Sequence, residues 1–261
     1  MKRIACLLSF VLCLVLLAGC ASSGPSNADL PDTLIVGLDD TFAPMGFRDE
    51  AGNLVGFDID LANAVGRELG VDIRFQPISW DAKEMELSSR NIDCIWNGMS
   101  RTPDREESMT LSKDYLNNRI VIMTNPDVQI TSKEQLADFN IGTQAKSSAL
   151  EVVEGDPIYT SIQPKLSEYA TYDECILDMQ AGRIDVMIVD EVLGQYKNST
   201  LAAKLNVSPV DFGDDFYVIG FRKEDTDLCA QVEKALRAVK ASGEGTEISQ
   251  TWFGQDLLLD I

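Results

Sequence analysis

The chain contains no histidine. Without imidazole it can form neither a Ser-His nor a Cys-His pair, so the nucleophiles that depend on a histidine base are excluded. The sequence also lacks a C-x-x-C spacing, a cluster of metal ligands and a glycine-rich phosphate loop. We therefore predict no catalytic residue, no cofactor and no metal, and we interpret the chain as a binding protein rather than an enzyme.

Basic residues are also scarce. The 22 lysines and arginines stand against 42 aspartates and glutamates, which gives a net charge of −20 at pH 7. Such an excess of negative charge repels phosphate backbones and anionic lipid headgroups. The composition therefore excludes a protein that binds nucleic acid through its backbone.

No long apolar run follows the N-terminus. The N-terminus itself has Lys2 and Arg3, an apolar run over residues 4–16, and then Leu-Ala-Gly-Cys. This order is typical of an export signal, and its last four residues resemble the lipobox, which is cut before a cysteine that becomes lipidated. We predict a lipoprotein signal peptide over residues 1–19 and a lipid anchor on Cys20. A transmembrane anchor is the alternative, although the run is shorter than the roughly 20 residues that a spanning helix needs.

Cleavage before Cys20 would leave 20 basic residues against 42 acidic ones, a net charge of −22. Residues 20–30 are predicted to be a flexible polar tether, and the roughly 230 residues after it suffice for one large or two modest domains. The cysteines in this part are odd in number, so we expect buried thiols, with one disulfide as the alternative. They are Cys94, Cys175 and Cys229.

Short apolar runs alternate with segments of helical periodicity. The runs are "TLIVGL", "VDIRFQPI", "IDCIW" and "IDVMIV". Between the first two lies "DIDLANAVGRELG", in which Leu61, Val65 and Leu69 fall on one helical face, with Asp58 near its start and Gly70 after it. The alternation predicts an α/β fold with buried, mostly parallel strands.

The chain carries a faint internal repeat, in which residues 80–96 align without gaps on residues 172–188. A true repeat predicts two lobes of like topology, whose strands end at Asn97-Gly98 and Val189-Asp190 and face a shared cleft. Because identities are few, chance similarity between two helix-to-strand units is the alternative. The matched pairs are Trp80 and Tyr172, Asp81 and Asp173, Met85 and Leu177, Leu87 and Met179, Ile92 and Ile184, and Asp93 and Asp185.

The stretch "WNGMSRTPDR" has the chemistry of a carboxylate receptor. Thr102 followed by Pro103 predicts a helix start, which places Arg105 in the first turn beside the backbone donors of Asn97, Gly98 and Ser100. A guanidinium binds a carboxylate through two parallel hydrogen bonds, and the turn adds further donors. The alternative is a surface arginine that pairs with a neighbouring acid.

Aromatic and acidic side chains follow other strands. Phe42 comes after the first strand and Trp80 after the next, where they line a cleft or pack in the core. Asp190 follows the apolar run "VMIV", where it can accept an ammonium or cap a helix.

Several motifs together resemble one family, the polar amino-acid-binding proteins that serve ABC importers and have the type II periplasmic-binding-protein fold. The resemblance covers nearly all of the mature chain, and the motifs are specific in their joint order and spacing. They are "DDTFAPMGF", "NLVGFDIDLANAVGRELG", "NIDCIWNGMSRTPDREE", "IGTQAKSSA", "AGRIDVMIVDE" and "ISQTWFG".

The resemblance implies a role for each matching position. Arg105 corresponds to the arginine that clamps the ligand α-carboxylate, with Ser100 adding donors, and Asp190 to the acid that takes the α-ammonium. The other implied ligand contacts are Phe42 and Trp80, which sandwich the side chain, Asp39 at its distal end, Asn97 and Gly98 beside the ammonium, and Ser147 and Ser148 at the helix start that closes over the carboxylate. One position departs from the family, because Lys146 stands where glycine is usual; either the turn has another shape or a cation lies near the ligand.

The family architecture further implies lobe 1 from residues 31–123 and 217–261, and lobe 2 from residues 124–216, with a hinge of two strand crossings. The implied partners are a free amino acid and permease subunits, and the implied location is extracytoplasmic, with the chain a monomer anchored to the membrane by lipid. An enzyme on the same fold, such as a cyclohexadienyl or arogenate dehydratase, is one alternative. A component that presents its ligand to a sensor is another.

Overall fold

The computed structural model describes residues 30–261. The predicted signal peptide, Cys20 and nearly all of the predicted tether lie outside the described residues. Asp32–Ile261 forms one compact unit. Within the described residues, no helix combines the length and the apolar character needed to cross a bilayer.

Twelve strands and nine α-helices alternate along the described chain. The strands are β1 Thr33–Leu38, β2 Thr41–Phe42, β3 Gly46–Arg48, β4 Leu54–Val55, β5 Asp72–Pro77, β6 Cys94–Ser100, β7 Thr110–Leu111, β8 Leu116–Thr124, β9 Ile141–Gln144, β10 Leu166–Tyr169, β11 Val186–Asp190 and β12 Asn206–Phe221. The helices are α1 Phe57–Leu69, α2 Lys83–Ser88, α3 Pro103–Ser108, α4 Ser148–Gly155, α5 Tyr159–Ile162, α6 Tyr172–Gln180, α7 Glu191–Thr200, α8 Thr226–Ser242 and α9 Glu244–Phe253. Short 3₁₀ helices cover Trp80–Ala82, Lys133–Asp138 and Gln163–Lys165.

The main sheet has the order β10-β9-β11-β8-β12-β6-β1-β5, with β7 paired to β12. Strand β1 is parallel to β5 and β6 on one side, and β9 is parallel to β10 and β11 on the other. Strand β12 lies antiparallel to β6, and β8 lies antiparallel to β11. The two halves of the sheet therefore repeat one arrangement, which is the two-lobed type II periplasmic-binding-protein architecture that the family resemblance implies.

Two long strands connect the halves. Strands β8 and β12 pair antiparallel from Leu116 with Tyr217 to Thr124 with Asn206. Along β8, the residues from Ile120 onward also pair with β11. This pairing favours a lobe boundary a few residues before the predicted one after residue 123, and the division into lobes stays a prediction.

The internal repeat is present in three dimensions. Arg90 has φ 61° and its counterpart Gly182 has φ 69°, so both helices end in the same left-handed turn. The carboxylate of Asp93 accepts a hydrogen bond from the first strand of its own half, Ile35 N, at 2.9 Å. The carboxylate of Asp185 likewise accepts a hydrogen bond at 3.0 Å from Asn140 N, which lies just before β9. The two aligned segments therefore form equivalent helices, turns and strand starts.

Some local expectations need correction. Strand β6 does not end at Asn97-Gly98, because it continues to Ser100 through pairing with β12. Asp58 lies in the first turn of α1 as predicted, but its carboxylate is buried and accepts hydrogen bonds from Gly98 N at 2.7 Å and from the Tyr115 hydroxyl at 3.0 Å. Cys94, Cys175 and Cys229, the cysteines among the described residues, are free and buried, which agrees with the expected thiols.

Candidate functional site

The predicted ligand contacts meet where the two halves of the sheet face each other. All ten are buried. Eight of the ten, together with Gln144, line a small cavity of about 10 Å³. The two that do not line it are Asp39, which accepts a hydrogen bond from the lining residue Gln144, and Asn97, which accepts one from Asp39 N. The eight are Phe42, Trp80, Gly98, Ser100, Arg105, Ser147, Ser148 and Asp190.

Arg105 is held by a local helix start. Thr102 caps α3 by accepting a hydrogen bond from Arg105 N at 3.3 Å, and Pro103 occupies the first helical position, as predicted. The side chain is 5% exposed, so the alternative of a surface arginine is wrong. Its Nη1 donates to the Ser100 carbonyl at 2.7 Å, and its Nη2 lies 3.5 Å from the Lys146 carbonyl.

The surroundings of Arg105 suit an anionic ligand. Burial lowers the pKa of this guanidinium from its ordinary value, and the nearby acids partly oppose the shift. Its cation also lies over the Trp80 ring, with Cζ 5.9 Å from the ring centroid. Among the described residues, no carboxylate lies within ion-pair distance of Arg105. A buried cation bonded only to neutral carbonyls gains most from a charged acceptor such as a carboxylate.

Asp190 ends β11 immediately before α7. Its side chain forms no cap hydrogen bond to the helix, so the capping alternative does not describe it. Instead its Oδ1 accepts from Asn118 Nδ2 at 2.8 Å and from the Tyr217 hydroxyl at 3.0 Å. Burial, and then the charge of Asp215, raise the pKa of Asp190 to about 7. A ligand ammonium would stabilise the charged form.

Asp215 was not predicted from the sequence. Its Oδ2 accepts from Asn118 Nδ2 at 2.6 Å and from Ser100 Oγ at 2.7 Å, and burial raises its pKa. Ser100 Oγ also lies 2.8 Å from Ser148 Oγ. A continuous hydrogen-bonded network thus joins Asp190 to Ser148. Asp215 lies in the middle of the long strand β12, where a carboxylate gives no sequence signal of burial.

Gln144 is a second residue that the sequence analysis missed. It ends β9, and its Nε2 donates to Asp39 Oδ2 across the cleft at 2.9 Å. Asp39 Oδ1 is held by the Thr41 hydroxyl at 2.7 Å, and burial raises the Asp39 pKa. The backbone N–H of Asp39 donates to Asn97 Oδ1 at 3.0 Å. Position at the carboxyl end of a strand was the signal that identified Asp190, and it could also have identified Gln144.

The backbone conformation at position 98 favours glycine, and neighbouring side chains leave no room for a Cβ there. Its φ is 55°, and a Cβ at this position would lie 2.9 Å from Phe42 Cε1 and 3.0 Å from Tyr217 Cε2. Phe42 itself packs against Tyr172, with ring centroids 6.2 Å apart. The cleft therefore has an aromatic wall close to the backbone of β6.

Lys146 keeps the conformation that favours glycine, with φ 56°. The turn therefore has a left-handed shape, and the lysine side chain is exposed rather than buried against the cavity. Its carbonyl accepts from Lys83 Nζ at 3.2 Å, besides its contact with Arg105. Lys83 is itself buried, which lowers its pKa to about 8. The backbone of this turn thus joins two cations of the opposite half.

The contacts across the cleft hold the site shut. A volume of about 10 Å³ is close to the minimum for a single water, and an amino acid is larger. An amino acid would fit at this place only after the bonds between Ser100 and Ser148, and between Asp39 and Gln144, have separated. A larger cavity of about 810 Å³ lies beside the connecting strands and contains none of the ten predicted contacts.

Comparison with known proteins is consistent with this geometry. The family described as bacterial extracellular solute-binding proteins, family 3, matches residues 34–255. The lysine/arginine/ornithine-binding periplasmic protein of Escherichia coli is 29% identical over 252 residues, which cover 93% of this chain and 96% of that protein. The histidine-binding periplasmic protein of the same organism is 27% identical over 256 residues, covering 95% of this chain and 97% of that protein.

A solved structure gives a similar result. It is an ABC uptake transporter substrate-binding protein from Streptococcus pneumoniae with bound histidine. The two chains superpose with a TM-score of 0.83 and 35% identity, over 87% of this chain and 94% of that chain. The fold and a large share of the sequence are therefore common to both.

Proposed function

The chain belongs to the bacterial extracellular solute-binding proteins of family 3, and from this membership we propose that it captures a free amino acid between its two lobes. It delivers this ligand to the permease of an ABC importer. The relatives described above are binding proteins rather than enzymes, and the chain is a binding protein in the same sense.

The observation that best supports an amino acid ligand is the buried Arg105. Its guanidinium contacts neutral carbonyls of Ser100 and Lys146 and has room for a bidentate acceptor only if the lobes part. We assign the ligand α-carboxylate to Arg105, with Ser100, Ser147 and Ser148 as further donors. Ser147 also caps α4, since its Oγ accepts from Leu150 N at 3.1 Å.

Asp190 is assigned to the ligand α-ammonium. Burial and the neighbouring charge of Asp215 raise its pKa, and a ligand ammonium would oppose both effects by stabilising the charged carboxylate. Asn97 and Gly98 are assigned to the pocket edge beside the ammonium. Phe42 and Trp80 pack on the ligand side chain, and Asp39 lies toward its distal end.

The N-terminus provides the membrane attachment in this proposal. Residues 1–19 serve as an export signal, and Cys20 carries the lipid, so that the mature protein is an extracytoplasmic monomer tethered to the membrane. The polar tether over residues 20–30 leaves the lobes free to open.

A thermal-shift screen tests the amino acid function. The purified protein is heated with each of the twenty amino acids, cystine and ornithine, and the α-carboxamide of every positive compound is the matched control. We expect at least one free amino acid to raise the Tm, and its carboxamide to have little effect, because the amide lacks the charge that Arg105 binds. Equal shifts for acid and amide would contradict the assignment. Turnover of prephenate or arogenate would instead support the enzyme alternative.

A further inference from the structure

Four large apolar side chains are exposed among the described residues, and the two most exposed are matched by the internal repeat. Met85 on α2 is 61% exposed and Leu177 on α6 is 60% exposed. The gapless alignment of residues 80–96 with 172–188 places them at the same position. The other two, Val207 and Phe216, are 41% and 38% exposed and have no counterpart in the repeat.

The two helices present equivalent faces. In lobe 1 the helical segment buries Trp80, Lys83 and Leu87, and the matching residues of α6 are buried in the same order. Met85 and Leu177 thus project from the same side of equivalent helices, away from the core. The matching buried residues of α6 are Tyr172, Cys175 and Met179.

The positions of these helices in the fold are also equivalent. Helix α2 connects β5 to β6, and α6 connects β10 to β11, with β5 and β10 at the two edges of the sheet. The approximate two-fold relation between the lobes therefore relates Met85 to Leu177. A partner that contacts both in the same way must itself present two equivalent surfaces.

Packing within the chain does not account for these side chains. A polar residue would fit either position equally well, and a single exposed apolar residue needs no explanation. Two such residues at matching positions of the repeat do need an explanation. Each lies one helical turn after a carboxylate, Asp81 or Asp173, and Asp173 pairs with Lys197 while Asp81 accepts from Ser79 Oγ at 2.7 Å.

We propose that Met85 and Leu177 are the two equivalent anchors of a docking surface for the paired permease subunits of the importer. Each subunit receives one anchor in an apolar pocket with a basic rim. The proposal rests on the proposed function, since it takes the partner to be the importer. The net charge of −20 favours a basic partner over a second copy of this chain or an anionic bilayer, both of which repel it.

Transport measurements test the surface. Met85→Ser, Leu177→Ser and the double variant replace wild type in the cells that carry its importer, and uptake of a mixture of radiolabelled amino acids is measured below saturation. We expect each single variant to lower uptake, and the double variant to lower it about tenfold. The matched control Val207→Ser, which also removes an exposed apolar side chain from lobe 2, should transport like wild type. Wild-type uptake by the double variant would overturn the proposal.

Binding measurements separate this proposal from the proposed function. Calorimetry with the same amino acids should give equal affinities for the double variant and wild type, because neither anchor touches the cleft. Loss of ligand binding by the double variant would assign the two residues to the fold rather than to docking. If wild type binds no amino acid, the proposed function fails.

Crosslinking tests the surface even in that case, because it needs no ligand. A photoreactive benzoylphenylalanine replaces Met85, Leu177 or, as control, Val207 in the membrane-anchored protein. Irradiated cells should yield crosslinks from the first two positions to integral permease subunits, identified by mass spectrometry, and none from the third. Crosslinks to a second copy of the chain, or to lipid alone, would contradict the proposal.

Discussion

Ligand binding should weaken as the pH falls, because of Asp190. Its carboxylate is buried beside Asp215, and burial and that neighbour raise its pKa to about 7. A ligand ammonium binds the charged carboxylate and not the neutral acid. The ligand-free protein therefore holds a proton that the complex must release, and affinity falls as the pH drops through about 7.

The size of the effect follows from this linkage. Above the pKa of Asp190 affinity is constant, and below it each pH unit costs up to about tenfold, or about 1.4 kcal/mol. Between pH 7 and pH 5 the loss approaches about a hundredfold if Asp190 alone titrates. Other groups face Asp190, namely Asp215 and the Tyr217 hydroxyl on β12 and the Arg105 cation on α3. Of these, Asp215 also has a raised pKa and adds to the slope.

Calorimetry at pH 5, 6, 7 and 8 measures the dependence, and buffers of different ionisation enthalpy give the number of protons released. Asp190→Asn keeps an acceptor for Asn118 and Tyr217 but cannot titrate. At pH 8 we expect this variant to bind about 2–5 kcal/mol more weakly, and to lose most of its pH dependence. Asp215→Asn should retain most of the pH dependence of the affinity, because Asp190 still titrates in this variant. An affinity of wild type that is the same at pH 5 and pH 8 would refute the assignment of Asp190 to the ammonium.

Two further predictions concern the cleft wall and the anchor. Gly98→Ala should lower both the Tm and the ligand affinity, because its Cβ would lie 2.9 Å from Phe42 Cε1. The control is Gly52→Ala, where φ is 84° and no atom lies within 4 Å of the added Cβ. It should lose only the stability that backbone strain costs, about 1–2 kcal/mol. Equal losses of Tm in thermal melts of the two variants would show that the aromatic side chains beside Gly98 shift to make room for the methyl group, and would contradict the prediction. The mature protein should partition into detergent, and Cys20→Ala into the aqueous phase, because two acyl chains on the thiol provide stable anchoring. Wild-type protein found only in the aqueous phase of lipoprotein-processing cells would exclude the anchor.

The sequence predicted those parts of the site that depend on strand ends and helix starts. Thr102-Pro103 fixed the start of α3 and so the place of Arg105, and the apolar run before Asp190 fixed the end of β11. These signals are local, because a cap or a strand end involves only a few neighbouring residues. The internal repeat added the long-range prediction that two strands face a shared cleft, although β6 ends at Ser100 and not at Asn97-Gly98.

The remaining contacts depend on pairing between distant segments. Asp215 reaches the cleft only because β12 runs between β6 and β8, which no local pattern in "DFGDDFYVIGF" indicates. From the sequence Lys83 is expected to be a solvent-exposed helix residue, but it is buried and its Nζ donates a hydrogen bond to the Lys146 carbonyl of the other half. The left-handed conformation of Lys146 is likewise imposed by tertiary structure, since a lysine has no preference for it.

The affinity of Arg105→Lys tests the central claim most directly. The ligand is the amino acid that raises the wild-type Tm most, and calorimetry gives both affinities at pH 8. Lysine keeps the positive charge but cannot form two parallel hydrogen bonds to a carboxylate, so we predict a loss of at least about 1.4 kcal/mol, or tenfold. Wild-type affinity in Arg105→Lys would contradict the account, because Arg105 would then not be the residue that grips the carboxylate.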